Sequence, residues 1–287
     1  MHPTVVTILA SMLGLGALGA LFGGGLAYAA KKFAVKVDPK VEAVQAVLGG
    51  ANCGACGFPG CAAFAEAVVA GVAPYEGCIP GGADCARQIA AIMGGEVGEL
   101  KEAPVAVVCC QGGRAEAGDR FIYQGYEDCE AAQLIAGGAK ACIYGCLGFG
   151  TCVRACPFDA MAMNGNGLPV VFEDKCTGCG KCVKACPRGI MQLIPRSQRI
   201  YIACRSQDRG KQVKEVCTVG CTGCTLCANP KTTSSGSIRM NGFLPEIVNP
   251  TADDLEQAFA KCPTHSFVRR GEKVTEPQAQ PEEMTTT

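Results

Sequence analysis

The chain opens on one uninterrupted apolar run. From Thr4 to Ala30 no residue carries a charge, and TVVTILASMLGLGALGALFGGGLAYAA exceeds the roughly 20 residues a helix needs to cross the hydrocarbon layer of a bilayer. Lys31 and Lys32 follow at once, and the positive-inside rule then puts the rest of the chain in the cytoplasm. Ala27-Tyr28-Ala29 mimics a signal-peptidase site, yet the basic n-region is missing and the apolar run is longer than the ~7–15 residues of a signal's h-region. The segment therefore reads as a single-pass anchor in the cell (inner) membrane. Gly14-Leu15-Gly16-Ala17-Leu18-Gly19 fits G-x-G-x-x-G, but with no strand before it and no βαβ unit around it a nucleotide loop does not follow. Gly19 and Gly23 instead give either a small-xxx-small face for a partner helix or a merely flexible anchor.

After the anchor the pattern shortens. Asp38-Pro39 reads as a helix N-cap with Pro at the first helical position, Val41, Val44, Val47 and Leu48 form one apolar face, and Gly49-Gly50 ends it. Phe64, Ala67 and Val68 mark a second buried face. Val105–Val108 and Ile200–Ala203 are strand-like runs that each end on cysteine, as if the region between them were duplicated. Ala160–Met163 and Leu168–Phe172 flank Asn164-Gly165-Asn166-Gly167, the pattern of a β-hairpin. The fold expected is α+β: a single N-terminal transmembrane helix, a small mostly helical four-cysteine domain, then bacterial ferredoxin-like units of duplicated βαβ type. The boundaries expected are 1–34 for the anchor, 35–100 for the four-cysteine domain, 101–196 for a double-cluster unit, 197–270 for a third unit with one cluster, and 271–287 for a flexible polar tail.

Composition narrows the chemistry. Lys+Arg and Asp+Glu balance at 26 each, which removes a global electrostatic grip on nucleic acid. There is no Trp and only His2 and His265, so haem and mixed His/Cys zinc centres are poorly supplied. The 22 cysteines sit in a long chain with C-x2-C spacing, which argues for metal ligation over a disulfide framework.

Cys53-x2-Cys56-x4-Cys61, with Cys78 in GCIPGG, brings three thiolates from one Gly-rich loop and one from further on. That suits a [4Fe–4S] cube better than structural zinc, which usually takes two separated C-x2-C pairs. Cys176-x2-Cys179-x2-Cys182-x3-Cys186-Pro187 is the bacterial ferredoxin run, in which the fourth cysteine serves a neighbouring cube. Its mate lies upstream as Cys142-x3-Cys146-x5-Cys152-x3-Cys156-Pro157. The crossed pattern groups Cys142, Cys146, Cys152 and Cys186 on one cube and Cys156, Cys176, Cys179 and Cys182 on the other. A third, degenerate run supplies Cys221, Cys224, Cys227 and Cys262, with Cys217 a rival to Cys224 because Cys217-x3-Cys221 mirrors Cys142-x3-Cys146. Four [4Fe–4S] clusters result, three being the minimum. Cys85, Cys109, Cys110, Cys129, Cys204 and Cys217 are left over, as buried structural thiols or as the material of a fifth cluster. Met161, Met163 and Met191 read as packing.

The order of anchor, ANCGACGFPGC with CIPGG, CIYGCLGFGTCVRACPFDA and CTGCGKCVKACP resembles the B subunit of Rnf-type electron transport complexes over nearly the whole chain. The resemblance implies a translocase of the ferredoxin:NAD⁺ oxidoreductase type that moves Na⁺ or H⁺. Such a chain would accept electrons from soluble ferredoxin and relay them towards flavin-bearing and polytopic membrane partners. Clusters carry single electrons, so no catalytic acid, base or nucleophile is expected in the chain. Arg196, Arg199, Arg205, Arg209, Lys211 and Lys214 form a basic stretch that either steers an acidic ferredoxin or is a solvated face. The competing readings are a related complex that reduces an iron–sulfur regulator, and a membrane-tethered zinc or redox-sensing module.

Overall fold

The computed structural model describes residues 3–33, 38–100 and 102–271. From residue 272 onward, the expected polar tail lies outside the described residues, as do the first two residues of the anchor and 34–37.

Helix α1 (Pro3–Lys32) runs 30 residues, about 45 Å at 1.5 Å per residue. Its apolar side chains face outward, with Leu13 74%, Leu21 72% and Phe22 62% exposed. None of its membrane-length window Ser11–Lys32 is buried against the rest of the chain. An exposed apolar surface of that kind is stable only in an apolar surrounding. A methyl group added at Gly19 or Gly23 would meet nothing within 4 Å, so that face is open.

The next unit is three helices, α2 (Pro39–Val47), α3 (Cys61–Val69) and α4 (Gly82–Met93), with a 3₁₀ turn at Tyr75–Gly77. Asp38 caps α2 by accepting from the Lys40 amide at 2.8 Å. The three helices share a core of Val44, Phe64, Ala65, Val68 and Ile89. The expected face of α2 is the one buried: Val41, Val44 and Leu48 are under 8% exposed.

Two cysteine-rich halves follow. The first contains β1 (Val105–Val108), α5 (Cys129–Leu134), α6 (Thr151–Arg154), β2 (Met161–Met163), β3 (Pro169–Val171), α7 (Lys181–Lys184) and β4 (Met191–Ile194). The second contains β5 (Ile200–Ile202), α8 (Gly210–Val216), a 3₁₀ turn at Leu226–Ala228, β6 (Ile238–Asn241), β7 (Leu244–Ile247), α9 (Leu255–Lys261) and β8 (Phe267–Arg269). β2 and β3 form the expected hairpin, its turn held by Asn164 Oδ1, which accepts from the Asn166 and Leu168 amides at 3.1 and 2.9 Å.

The βαβ expectation does not match the pairing. Among the described residues all four sheets are two-stranded and antiparallel: β1 with β4, β2 with β3, β5 with β8 and β6 with β7. A parallel crossover needs a dozen or more residues and a helix that covers the sheet. Here α6 and α7 span only four residues each and pack against each other and on β2 and β4. Each half instead closes by pairing its first strand with its last, Val105 opposite Ile194 and Ile200 opposite Arg269. The halves are joined by an Ala117–Cys217 bridge, a Thr218 amide bond to the Glu116 carbonyl (3.0 Å) and Arg270 Nε paired with Glu173 at 2.9 Å.

Candidate iron–sulfur sites

The first cysteine loop is folded around Asn52, whose Oδ1 accepts from the Cys61 amide at 2.8 Å. Cys56, Cys61 and Cys78 pack against the three-helix core, with Cys53 on the same loop. Gly81 is required behind Cys78, because a methyl there would stand 2.5 Å from Cys85 Cβ and 3.1 Å from Cys78 Sγ. The neighbouring Cys85 thiol lowers Cys78 to about 6 and is itself driven upward, so Cys85 keeps its proton, which its Sγ donates to the Val47 carbonyl at 3.5 Å.

Cys156, Cys176, Cys179 and Cys182 surround a void of about 320 Å³ floored by Ala106, Met161 and Leu193. These are the four that the crossed pattern groups. The Ala106 amide donates to Cys176 Sγ at 3.5 Å. The mate differs. Cys146, Cys152 and Cys186 surround a void of about 390 Å³, but the fourth cysteine there is Cys129, not Cys142.

The reason lies in the backbone of the loops. Gly148 (φ 81) and Gly150 (φ 70) match Gly178 (φ 72) and Gly180 (φ 73), so Cys146 corresponds to Cys176, Cys152 to Cys182, and Phe149 occupies the place of Cys179. Both glycine pairs need the left-handed region, which side chains disfavour. With its middle cysteine missing, the loop takes a thiol from the start of α5. The Cys129 amide donates to Thr151 Oγ1 (2.8 Å), and the Thr151 hydroxyl donates to Asp128 Oδ2 (2.7 Å). Arg154 Nη2 closes on the same carboxylate oxygen at 3.0 Å.

Cys142 lies in a third cavity, about 380 Å³, with Cys110, Cys204 and Cys217. This group has two-fold logic: Cys110 and Cys204 follow strands β1 and β5, and Cys142 and Cys217 each precede a ferredoxin loop by four residues. The Cys146 amide donates to Cys110 Sγ at 3.5 Å, and its counterpart Cys221 donates to Cys204 Sγ at 3.3 Å. Cys217 therefore sits at the junction of the halves and not among the last four. Those are Cys221, Cys224, Cys227 and Cys262, of which Cys227 and Cys262 pack in one apolar cluster. The charges of Cys224 and Cys262 act on Cys227. The Ser266 amide donates to Cys262 Sγ at 3.3 Å, as the Ile190 amide does to Cys186. Only Cys85 and Cys109 stand outside the five quartets, and Cys109 is buried with its thiol donating to Gln192 Oε1 at 3.2 Å.

The donor chemistry fits iron–sulfur cubes. Burial pushes Cys110 and Cys227 up to about 11, and Cys152, Cys182 and Cys221 up to about 12, with neighbouring thiolates adding to the rise in each of them. Four such thiols ionise together only around a positive core. A single zinc ion holds its sulfurs at about 2.3 Å from one point. Among the described residues no three His, Cys, Asp or Glu converge in that way. Three cavities, each lined by four cysteines, suit an inorganic core held at its corners by thiolates.

The quartets also form a series. Cys53 acts on Cys179; Cys156, Cys176 and Cys182 pack in one apolar cluster with Cys152 and Cys186; the Cys146 amide reaches Cys110 Sγ, and the Cys221 amide reaches Cys204 Sγ. Each quartet is thus a neighbour of the next, from the three-helix unit to the end of the second half. Of the expected basic stretch, Arg196 is turned inward, donating to the carbonyls of Glu173 (3.1 Å) and Cys176. Arg199, Arg209, Lys211 and Lys214 are exposed.

Two cavities each lined by four cysteines in the first half, and a third that takes two cysteines from each half, behind a membrane-length helix, define an iron–sulfur protein of the ferredoxin type. Family models agree: residues 48–80 match one described as "Putative Fe-S cluster" and residues 141–191 match "4Fe-4S dicluster domain". The chain is 43% identical over 257 residues to the B subunit of the ion-translocating oxidoreductase complex of Methanosarcina acetivorans, covering 89% of this chain and 96% of that protein. It is 44% identical over 264 residues to the B subunit of the proton-translocating ferredoxin:NAD⁺ oxidoreductase complex of Clostridium ljungdahlii, covering 91% of each. Identity to the B subunit of the Na⁺-translocating ferredoxin:NAD⁺ oxidoreductase complex of Acetobacterium woodii is 49% over 207 residues, 72% of this chain and 62% of that one. The chain belongs to this family of B subunits of ion-translocating oxidoreductase complexes.

Proposed function

We propose that the chain is the electron conduit of a membrane-bound ferredoxin:NAD⁺ oxidoreductase, with five [4Fe–4S] cubes in line. The ligand sets are Cys53, Cys56, Cys61 and Cys78; Cys156, Cys176, Cys179 and Cys182; Cys129, Cys146, Cys152 and Cys186; Cys110, Cys142, Cys204 and Cys217; and Cys221, Cys224, Cys227 and Cys262. The observation that carries the reading is the grouping of cysteines in fours in three cavities, two of them sharing one apolar cluster and the third joined to the loops on either side by amide-to-sulfur hydrogen bonds. When bound, the cubes supply one-electron chemistry. The polypeptide spaces them, keeps water out and directs amide hydrogens at their sulfurs.

Electrons enter at the Cys221 end. Helix α8, with Lys211 and Lys214 exposed, begins at Gly210, where an added methyl would stand 2.7 Å from the Thr222 carbonyl of that cysteine loop. A basic helix lying on the terminal loop suits an acidic soluble ferredoxin. They leave at the Cys53 end, in the unit that follows the anchor along the chain, towards flavin-bearing membrane partners that reduce NAD⁺ and move Na⁺ or H⁺. Lys31 and Lys32, at the C-terminal end of α1, support a cytoplasmic position for the cubes. The test is anaerobic purification of the full chain with iron and sulfide analysis. About 20 irons per chain are expected at four per cube, together with rapid reduction by ferredoxin that slows as salt rises. Stoichiometric zinc, or reduction indifferent to salt, overturns the reading.

A further inference from the structure

The two interlocked ferredoxin loops are alike in backbone and differ in charge at one place. After Cys156-Pro157 the chain continues with Phe158, and after Cys186-Pro187 it continues with Arg188. The positions are equivalent: the residue that follows is left-handed in both, Asp159 at φ 49 and Gly189 at φ 61. Each side chain lines the cavity of its own loop, Phe158 that of Cys156, Cys176, Cys179 and Cys182, and Arg188 that of Cys129, Cys146, Cys152 and Cys186. The degenerate third copy carries the neutral Thr264 at this place.

The Arg188 guanidinium is half-buried and meets only neutral acceptors. Nε donates to Gln133 Oε1 at 2.8 Å, and Nη1 to the carbonyls of Cys142 (2.9 Å) and Gly145 (2.6 Å). Nη2 donates to the Gly137 carbonyl. Residues 136–138 all have positive φ, which turns their carbonyls towards Arg188 and towards Arg120, bonded to Ala136 and Gly138 at 2.8 and 2.7 Å. Among the described residues no carboxylate is paired with Arg188; Cys142, Cys146 and Cys110 attract its charge and Arg120 repels it. A buried cation without a counter-charge is costly. The place of Arg188 in the wall of the Cys129, Cys146, Cys152 and Cys186 cavity, and its bond to the Cys142 carbonyl, put that charge between two groups of cysteines.

We propose, resting on the five-cube reading above, that Arg188 is a positioning residue that raises the reduction potential of the two cubes flanking it, those of Cys129 and of Cys142, above that of the Phe158-lined cube. A cube gains one negative charge when it takes an electron, and a fixed guanidinium beside it favours the reduced form. The middle of the line thereby becomes the place where an arriving electron rests.

Potentiometric EPR on the anaerobically purified full chain tests this. In Arg188→Gln the two flanking cubes become at least about tenfold harder to reduce, a downward shift of about 59 mV for a one-electron couple, while the Cys221 cube keeps its midpoint. Arg188→Lys, which keeps the charge and loses the planar fork, recovers most of that shift. Unmoved midpoints in a fully iron-loaded Arg188→Gln protein overturn the proposal, as does a Lys variant indistinguishable from the Gln variant. Should Arg188→Gln shed iron, Phe158→Arg decides: a raised midpoint for the Phe158-lined cube supports the proposal and an unchanged one sinks it. Iron content of the unmodified chain separates the two levels, since a wild-type count well below about 20 irons is a failure of the five-cube reading, whereas unmoved midpoints at full loading are a failure of the Arg188 proposal alone.

Discussion

Substituting Cys129 and Cys142, singly and together, tests the site geometry most directly. By spacing, Cys142 completes the cube of Cys146, Cys152 and Cys186; in the structure Cys129 is beside those three, and Cys142 is with Cys110, Cys204 and Cys217. Cys129→Ala removes one of four sulfurs from one cavity, and Cys142→Ala removes one of four from the next. At four irons per cube each single variant is expected to lose up to about four of about 20 irons. Thiols that serve different cubes give losses that add, and thiols that serve the same cube give losses that coincide. The double variant is therefore expected to lose up to about eight irons, twice what either single change removes. Iron analysis paired with quantitative EPR of dithionite-reduced protein reads both the count and the number of reducible centres. A double variant no poorer in iron than Cys129→Ala refutes the assignment. A Cys129→Ala protein with full iron content refutes it as well.

Three further outcomes follow from the same geometry. Asp128→Ala removes the cap of α5 and is expected to cost about 1 kcal/mol, read as earlier iron loss in urea from the Cys129 cube. The Asp128 carboxyl is held below its ordinary value by the Thr151 hydroxyl first, then by the Ala131 and Glu130 amides and Arg154; its stabilisation is complete above about pH 4 and drains away as pH falls through the folded value, so an acid titration of Asp128→Asn lacks that component. Phe64→Ala, at a side chain 2% exposed in the three-helix core, is expected to cost about 3–5 kcal/mol and to release the first cube on mild heating while the ferredoxin halves retain theirs. Charge reversal of Lys211 and Lys214 is expected to slow ferredoxin oxidation at low salt and to leave the rate at high salt unchanged, which stopped-flow measurements check.

Much of the fold could be read from the chain. The anchor, the Asp38 cap, the apolar face of α2, the two strands that end in cysteine and the Asn164 hairpin all rest on local patterns, and local patterns survive folding. The strand pairing was not legible, because which strand β1 joins depends on how the loops between close. Among the sites, three quartets needed only near-neighbour spacing plus one distant thiol. Cys129 was hidden, since it reaches its loop from 17 residues before Cys146 on a separate helix, and spacing carries no information at that range. The available signal was Phe149: aligning Gly148 and Gly150 with Gly178 and Gly180 exposes the missing middle cysteine and frees Cys142. The junction quartet was hidden for another reason, as no single run contains it. The strand-end cysteines Cys110 and Cys204 pointed to it only through the duplication.

The quartet of Cys110, Cys142, Cys204 and Cys217 takes two thiols from each half. Its formation therefore reports that both halves have closed and docked in register. A chain arrested after the first half holds a pair of these thiols with nothing opposite them, and the proposed line of cubes would end in a gap. Maturation and wiring share one checkpoint: the final joint can be soldered only when both boards are seated.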